Sequence, residues 1–397
     1  MSRGKRSVLA VAAAAALALA VTAGLATGKG PEASGLKKGS IKVGYGNNLS
    51  GFLAVHDHLI SDGARVAVDQ INKKGGIGGK VKIDMSIKDT KSDSTESVKV
   101  ANEFLAAHVA VMMLPCNTDF QVAMAARAKS SKTFMLSPCN ADPTLPKTYP
   151  TYYGVGMGGN AQGAQLATYV KSKKHKRAWV LTSSQNLYVR LMAKYFKKAA
   201  PSRGIRILKT DDIPLGNDYS AEVTKIKNAS PKPDVIMTGL FNPFLGTLIK
   251  NLRAQGVKTQ VVSTDGAESA PILALPKATV EGTGFTTFGF PTRGSATAKF
   301  YAQYKKKYGK NPDGSFAALG YESVKVLEAA VKKANSTDPK KIMKVLSKGI
   351  TVNGALGKIQ YLGHNNHNPA VPVVVDRIHS GKFVLVMKSV PKKVPAP

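Results

Sequence analysis

Residues 41–83, IKVGYGNNLSGFLAVHDHLISDGARVAVDQINKKGGIGGKVKI, restrict what this chain can fold into more than any other stretch. Residues 41–45 form a short apolar-alternating run, the pattern of a strand. Residues 46–51 hold two Gly, two Asn and a Ser, which is loop chemistry. Ala64, Ala67, Val68 and Ile71 then recur at i, i+3, i+4 and i+7, one face of a helix. Lys73 and Lys74 put cations in its last turn, where the helix dipole favours them. Gly75 and Gly76 stop it, because Gly enters the left-handed cap conformation without a Cβ clash. Strand, crossover helix and second strand make a parallel βαβ unit. In open α/β sheets ligands bind outside the carboxyl ends of the strands. The loop expected over 46–58 is therefore the first candidate for a site.

The alternation runs on through the chain. Strands are expected over 81–88, 109–114, 133–136 and 152–156, with helices over 94–107 and 120–129. Residues 142–151 are Pro-rich and read as a turn. A second set places strands over 177–182, 204–212, 234–238 and 260–263 among helices over 160–172, 188–200, 219–228 and 244–255. Residues 284–288 read as a crossing strand. Helices over 296–308, 316–334 and 339–348 return to the first set, and strands over 357–360, 370–375 and 383–388 close the chain. Repeated βα units build parallel sheets, and 397 residues suit two domains better than one. The expected fold class is α/β, with two Rossmann-like lobes around a cleft and crossing hinge strands between them. The expected boundaries are 1–26 for a signal peptide and 27–40 for a flexible tether. The first lobe takes 41–154 with 287–360, and the second 155–286 with 361–397.

The N-terminus carries Arg3, Lys5 and Arg6 and no acid, followed by an Ala/Leu/Val run over 8–21 and small residues. That order of charged, apolar and small-residue regions is the pattern of a secretory signal peptide, with cleavage after Ala23 or Ala26. An uncleaved anchor is the alternative. The segment has no Cys for lipid attachment, so a secreted or extracytoplasmic protein (periplasm or cell-wall space) is expected. The two cysteines, Cys116 and Cys139, each follow a Pro at the end of an apolar run or just beyond it. If those runs are neighbouring parallel strands, the thiols meet at one sheet edge and a disulfide fits, in the oxidising compartment that export supplies. Two free, buried thiols is the reading left beside it.

The formal net charge is +33 and the pI near 10.0. Such a balance fits an anionic polymer or surface. Its lysines are spread along the chain without aromatic interleaving or a nucleic-acid motif, which favours solvated helix faces. Nucleic acid is not expected as a partner. Electrostatic association with an anionic cell envelope is carried forward as a partner class.

Small polar residues cluster where strands end: Asn47, Asn48 and Ser50; Asn117 and Thr118; Asn140; Ser183, Ser184 and Gln185; Asn242; Asp265. Each suits a turn or helix cap. Their recurrence at equivalent strand ends suits a cleft that holds a small polar ligand. Enzyme signatures fall short. Gly44 and Gly46 lack the third Gly of a dinucleotide loop, although Asp89 ends the second strand where a ribose acceptor would stand. No P-loop or nucleophile elbow occurs. The pairs His56/His58 and His364/His367 lack a third ligand at metal spacing. The chain is expected to be no enzyme and to carry no cofactor or metal.

The first segment and its continuation KDTKSDSTESVKVANEFL resemble the opening of the Leu/Ile/Val-binding type of periplasmic binding protein. The first-loop SG and the G-x-x-x-A-V-x-x-I-N-x-K-G-G-I-x-G helix end carry the resemblance. It extends through Pro138, YVRLMAKYF at 188–196, LRAQGVKTQ at 252–260 and AALGYESVKVLEAAV at 317–331. It implies a type I two-lobe receptor, a monomer, that closes on a small molecule and delivers it to the permease of an ABC importer. It also implies a site. The carboxylate-gripping positions fall at Asn117, and at Cys139 (main chain) and Ala141; Thr118 and Asn140, polar residues at the same strand ends, are expected to join them in the ligand site. The first-loop aromatic falls at His56, the second-lobe Tyr at Tyr188, the hinge-side Tyr at Phe241 and the ammonium-binding acid at Asp265. The resemblance implies a branched-chain amino acid as ligand, and because Asn117 and Ala141 stand where hydroxyls are usual, a related amide or carboxylate is expected beside it. A ligand-sensing receptor module and a wall-associated polyanion-binding protein are the two other function classes.

Overall fold

A computed structural model describes residues Gly35–Pro397. The expected signal peptide and most of the expected tether lie outside the described residues. The first sheet collects β1 (Gly39–Asn47), β2 (Val81–Asp89), β3 (Val111–Met113), β4 (Phe134–Ser137) and β5 (Tyr152–Gly154), all parallel, in the order β2-β1-β3-β4-β5. Between them run α1 (Ala54–Lys73), α2 (Ser94–Ala106), α3 (Thr118–Ala128) and a single turn, α4 (Leu145–Thr148). Strand β1 starts at Gly39, paired with Val81, so the tether is shorter at its end than the sequence suggests. Leu36 already packs against the core.

The second set holds α5 (Gly159–Ser172), β6 (Arg177–Thr182), α6 (Leu187–Ala199), β7 (Arg206–Asp212), α7 (Ser220–Lys227), β8 (Val235–Thr238), α8 (Phe244–Ala254) and β9 (Gln260–Ser263). Two single turns, α9 (Ala270–Leu273) and α10 (Lys277–Val280), lead to β10 (Gly284–Thr287). The chain then adds α11 (Ala296–Tyr308), α12 (Phe316–Ala334), α13 (Pro339–Lys348), β11 (Ile350–Gly354), β12 (Gly357–Tyr361), β13 (Val373–His379) and β14 (Lys382–Ser389). The second sheet has the order β14-β13-β10-β9-β8-β6-β7, with β13 and β14 antiparallel to their neighbours. Strands β11 and β12 pair only with each other. Residues 357–360 thus close a separate hairpin and neither large sheet, and β11 goes unread in the sequence.

Two main apolar cores follow this division. One packs α1, α11, α12 and α13 on the first sheet, through Val43, Ile60, Ala64, Phe300, Leu319 and Ile342 among others. The other packs α5, α6 and α8 on the second sheet, through Leu166, Val180, Met192, Phe196 and Leu248. Leu53, Phe120 and Ala141, which belong to the first set of elements, join the second core.

Candidate functional site

Helix α1 begins at Ala54, so the loop expected over 46–58 ends early and His56 and His58 lie in the first turns of the helix. The reason is the spacing of the inward stripe. Asp57, Ile60, Ala64, Ala67 and Ile71 continue the helical period backwards, and all are buried. His56 is buried with them, whereas His58 is exposed. Among the described residues, no group of three or more His, Cys, Asp or Glu side chains is placed to hold a metal ion. His367 stacks on Tyr153 with ring centres 3.9 Å apart, and its Nδ1 lies 3.0 Å from the Tyr152 carbonyl.

The loop after β1 is built by carboxylates. Asp89 accepts hydrogen bonds from Leu49 N–H, Ser50 N–H and the Ser50 hydroxyl, a loop-anchoring role in place of ribose recognition. Asp57 reaches back from α1, and its Oδ2 accepts from Asn48 N–H at 3.0 Å, the Asn48 amide at 2.6 Å and Cys116 N–H at 3.4 Å. Its Oδ1 has no partner. Burial outweighs these bonds and pushes the Asp57 carboxyl up to about 7.

Strands β3 and β4 are neighbours, and Cys116 and Cys139, at their ends, are joined in a disulfide with Cα atoms 4.9 Å apart. Asn117 follows and caps α3, its side-chain oxygen accepting from Asp119 N–H at 2.9 Å. From the second lobe, Asn186 caps α6 and positions Tyr188 on the first turn. The Tyr188 hydroxyl lies 2.7 Å from both Asp265 Oδ1 and Thr264 Oγ1 and accepts from Gly266 N–H at 3.2 Å. Burial raises the Asp265 carboxyl above the usual range.

These pieces meet around one cavity of about 30 Å³, lined by Leu53, His56, Asp57, Cys116 and Asn117 from one side and Tyr188, Phe241, Asp265 and Gly266 from the other, with Phe316 at the start of α12. His56 packs on Phe316 at 4.8 Å between ring centres. Both ring nitrogens of His56 lack a partner, and burial pushes the imidazole down to about 4. Phe52 stacks on Phe241 at 5.8 Å across the cleft, and the Asp119 carboxylate accepts from Leu187 N–H. Ligand pockets commonly measure ~300–1,000 Å³, so the cavity in this arrangement is small, and the Phe52–Phe241 and Asp119–Leu187 contacts bridge its two walls.

Of the residues singled out in the sequence, the cavity gathers His56, Asn117, Tyr188, Phe241 and Asp265. Thr118, Cys139, Asn140 and Ala141 are buried beside it and do not line it. The Cys139 carbonyl is taken by Gln121 and Ser137. The Asn140 amide turns to Asn368 and Tyr152, and the Ala141 carbonyl accepts from Gly159 N–H. Asp57, Leu53, Gly266 and Phe316 were not singled out. An acid on the inward stripe of a helix was the available signal for Asp57.

Comparison with known proteins agrees with this architecture. Residues 40–382 match the periplasmic binding protein family. The Leu/Ile/Val-binding protein BraC3 of Rhizobium johnstonii is 29% identical over 331 residues, covering 82% of this chain and 88% of the relative. The Leu/Ile/Val-binding protein homolog 1 of Brucella melitensis is 26% identical, covering 81% and 86%. The leucine-binding protein LivK of Thermotoga maritima superposes with a TM-score of 0.80 at 24% identity, over 88% of this chain and 99% of that one. A solute-binding protein of an ABC transporter from Rhodopseudomonas palustris, solved with 3,4-dihydroxybenzoic acid, gives 0.78 at 19% identity, over 90% and 99%. With its two α/β sheets, its cleft and this match over residues 40–382, the chain belongs to the periplasmic binding protein family.

Proposed function

We propose that this chain is an extracytoplasmic solute receptor that captures a small molecule by lobe closure and passes it to the permease of an ABC importer. The observation that carries this reading is the cavity itself, which takes His56 and Asp57 from one lobe and Tyr188 and Asp265 from the other. A ligand that touches both walls binds the closed form more tightly than the open one, and that difference drives closure. The lobes are 41–154 with 287–360, and 155–286 with 361–397, and the protein acts as a monomer. The names of its relatives point to leucine, isoleucine and valine as the first ligands to try, with related amides and carboxylates beside them.

A thermal-shift screen of amino acids, amides, small aromatic acids and amines tests the reading. A ligand at about 100 times its dissociation constant stabilises the folded state by about 2.7 kcal/mol, a shift of several degrees. A screen in which every class leaves the melting temperature unchanged would overturn the receptor assignment.

A further inference from the structure

The groups around the cavity are unbalanced in a way that narrows the ligand. Two of the ten lining residues are acids and none is Lys or Arg, in a chain of net charge +33. Main-chain donors are largely committed, with Cys116 N–H given to Asp57 and Gly266 N–H to Tyr188. The Tyr188 hydroxyl is engaged by Asp265 and Thr264. What remains is mostly acceptor. Asp57 Oδ1 is fully buried and unpartnered, and His56, 3% exposed, has no partner at either ring nitrogen. A neutral imidazole offers one acceptor and one donor. Besides that ring N–H, the Asn117 amide is the side-chain donor left among the lining residues. Leu53, Phe241 and Phe316 supply apolar wall.

Building on the receptor reading, we propose that the ligand is a small primary amine or amidinium with a compact apolar body and no carboxylate. Its N–H groups sit between Asp57 of the first lobe and Asp265 of the second. The cation satisfies the buried acceptors of both walls at once, so it links the lobes as it binds. A carboxylate in the same place would meet two acids, no cation and few free donors, and would leave Asp57 Oδ1 unpaired.

Isothermal titration of the full chain with 3-methylbutylamine, acetamidine, leucine and benzoate separates the possibilities. The amine shares the branched body of leucine and lacks its carboxylate. The expected result is amine or amidine binding at least tenfold tighter than leucine, reduced at least tenfold in Asp265→Asn and in Asp57→Asn. Circular dichroism identifies a variant that does not fold, and the comparison of ligands on the unaltered protein stands without either variant. Leucine or benzoate binding more tightly than the amine and amidine overturns the proposal and leaves the receptor reading intact. Failure of every class in the screen overturns both.

Discussion

Asp376 shows what burial does to a single acid in this molecule. It lies on β13, 1% exposed, with both carboxylate oxygens unpartnered. Loss of water, and then the charge of Glu268, push its carboxyl up to about 8. Glu268 accepts from Ser315 N–H, the Ser315 hydroxyl and the Thr287 hydroxyl, and burial still lifts it to about 7. In an unfolded chain Asp titrates near 3.9, so the folded state holds these protons more tightly. Their contribution to stability is complete below about pH 4 and is lost as pH rises towards 8. The slope is about 1.4 kcal/mol per pH unit for each proton held in excess. Asp376→Asn removes one such term, so its melting temperature should gain on the parent between pH 5 and pH 8.5. The same difference at both pH values would refute the assignment. Few of these groups stand out in the sequence, because burial of an acid on a strand depends on what later segments fold over it. Asp57 could be read from its helical stripe, whereas Asn140, read from its place at a strand end, and Ala141, implied by the family resemblance, turn away from the cavity.

At the scale of elements, α1 and α12 meet through two glycines. A Cβ on Gly63 would stand 1.8 Å from the Ala317 carbonyl oxygen, and one on Gly320 would stand 1.8 Å from that of Ile60. Within a helix Ala is favoured over Gly by about 1 kcal/mol, while overpacking costs about 1–3 kcal/mol. Packing wins here, since the obstacles are main-chain atoms that cannot rotate aside. Gly320→Ala should therefore lower the stability read from urea unfolding by up to about 2 kcal/mol net, as a lower midpoint with unchanged slope, and a variant as stable as the parent would show that the helices part without loss. The helices themselves were legible from their 3.6-residue period, and the alternation of strands and helices located both sheets. The glycine contact was not, because it requires knowing that α12 returns across some 250 residues to lie on α1. The hairpin of β11 and β12 was half missed for a related reason: it rests on the first core and joins neither sheet, so its pattern is that of an isolated pair.

Across the whole molecule, the cleft and the surface differ in chemistry. Lysines dominate outside, where ion pairs such as Lys307–Asp69 and Arg177–Asp234 are part-exposed and contribute little to stability. Acids and aromatic rings gather inside. At a Debye length of about 8 Å in physiological salt, the distant lysines weigh less on a ligand than the carboxyls it touches. One further property follows from where the aromatic rings lie. The single Trp, Trp179, sits on β6 with its N–H donated to Asp211, away from the cavity lining. Phe52 is 38% exposed and stacks on Phe241 at 5.8 Å, beside the cavity. Trp179 therefore serves as a fluorescent reference away from the cavity. Phe52→Trp in a Trp179→Phe background should turn lobe closure into a change of emission wavelength on ligand addition, and the Trp179 parent should show none. Equal responses from the two proteins would mean that closure reaches β6, and that the lobes do not move as rigid bodies.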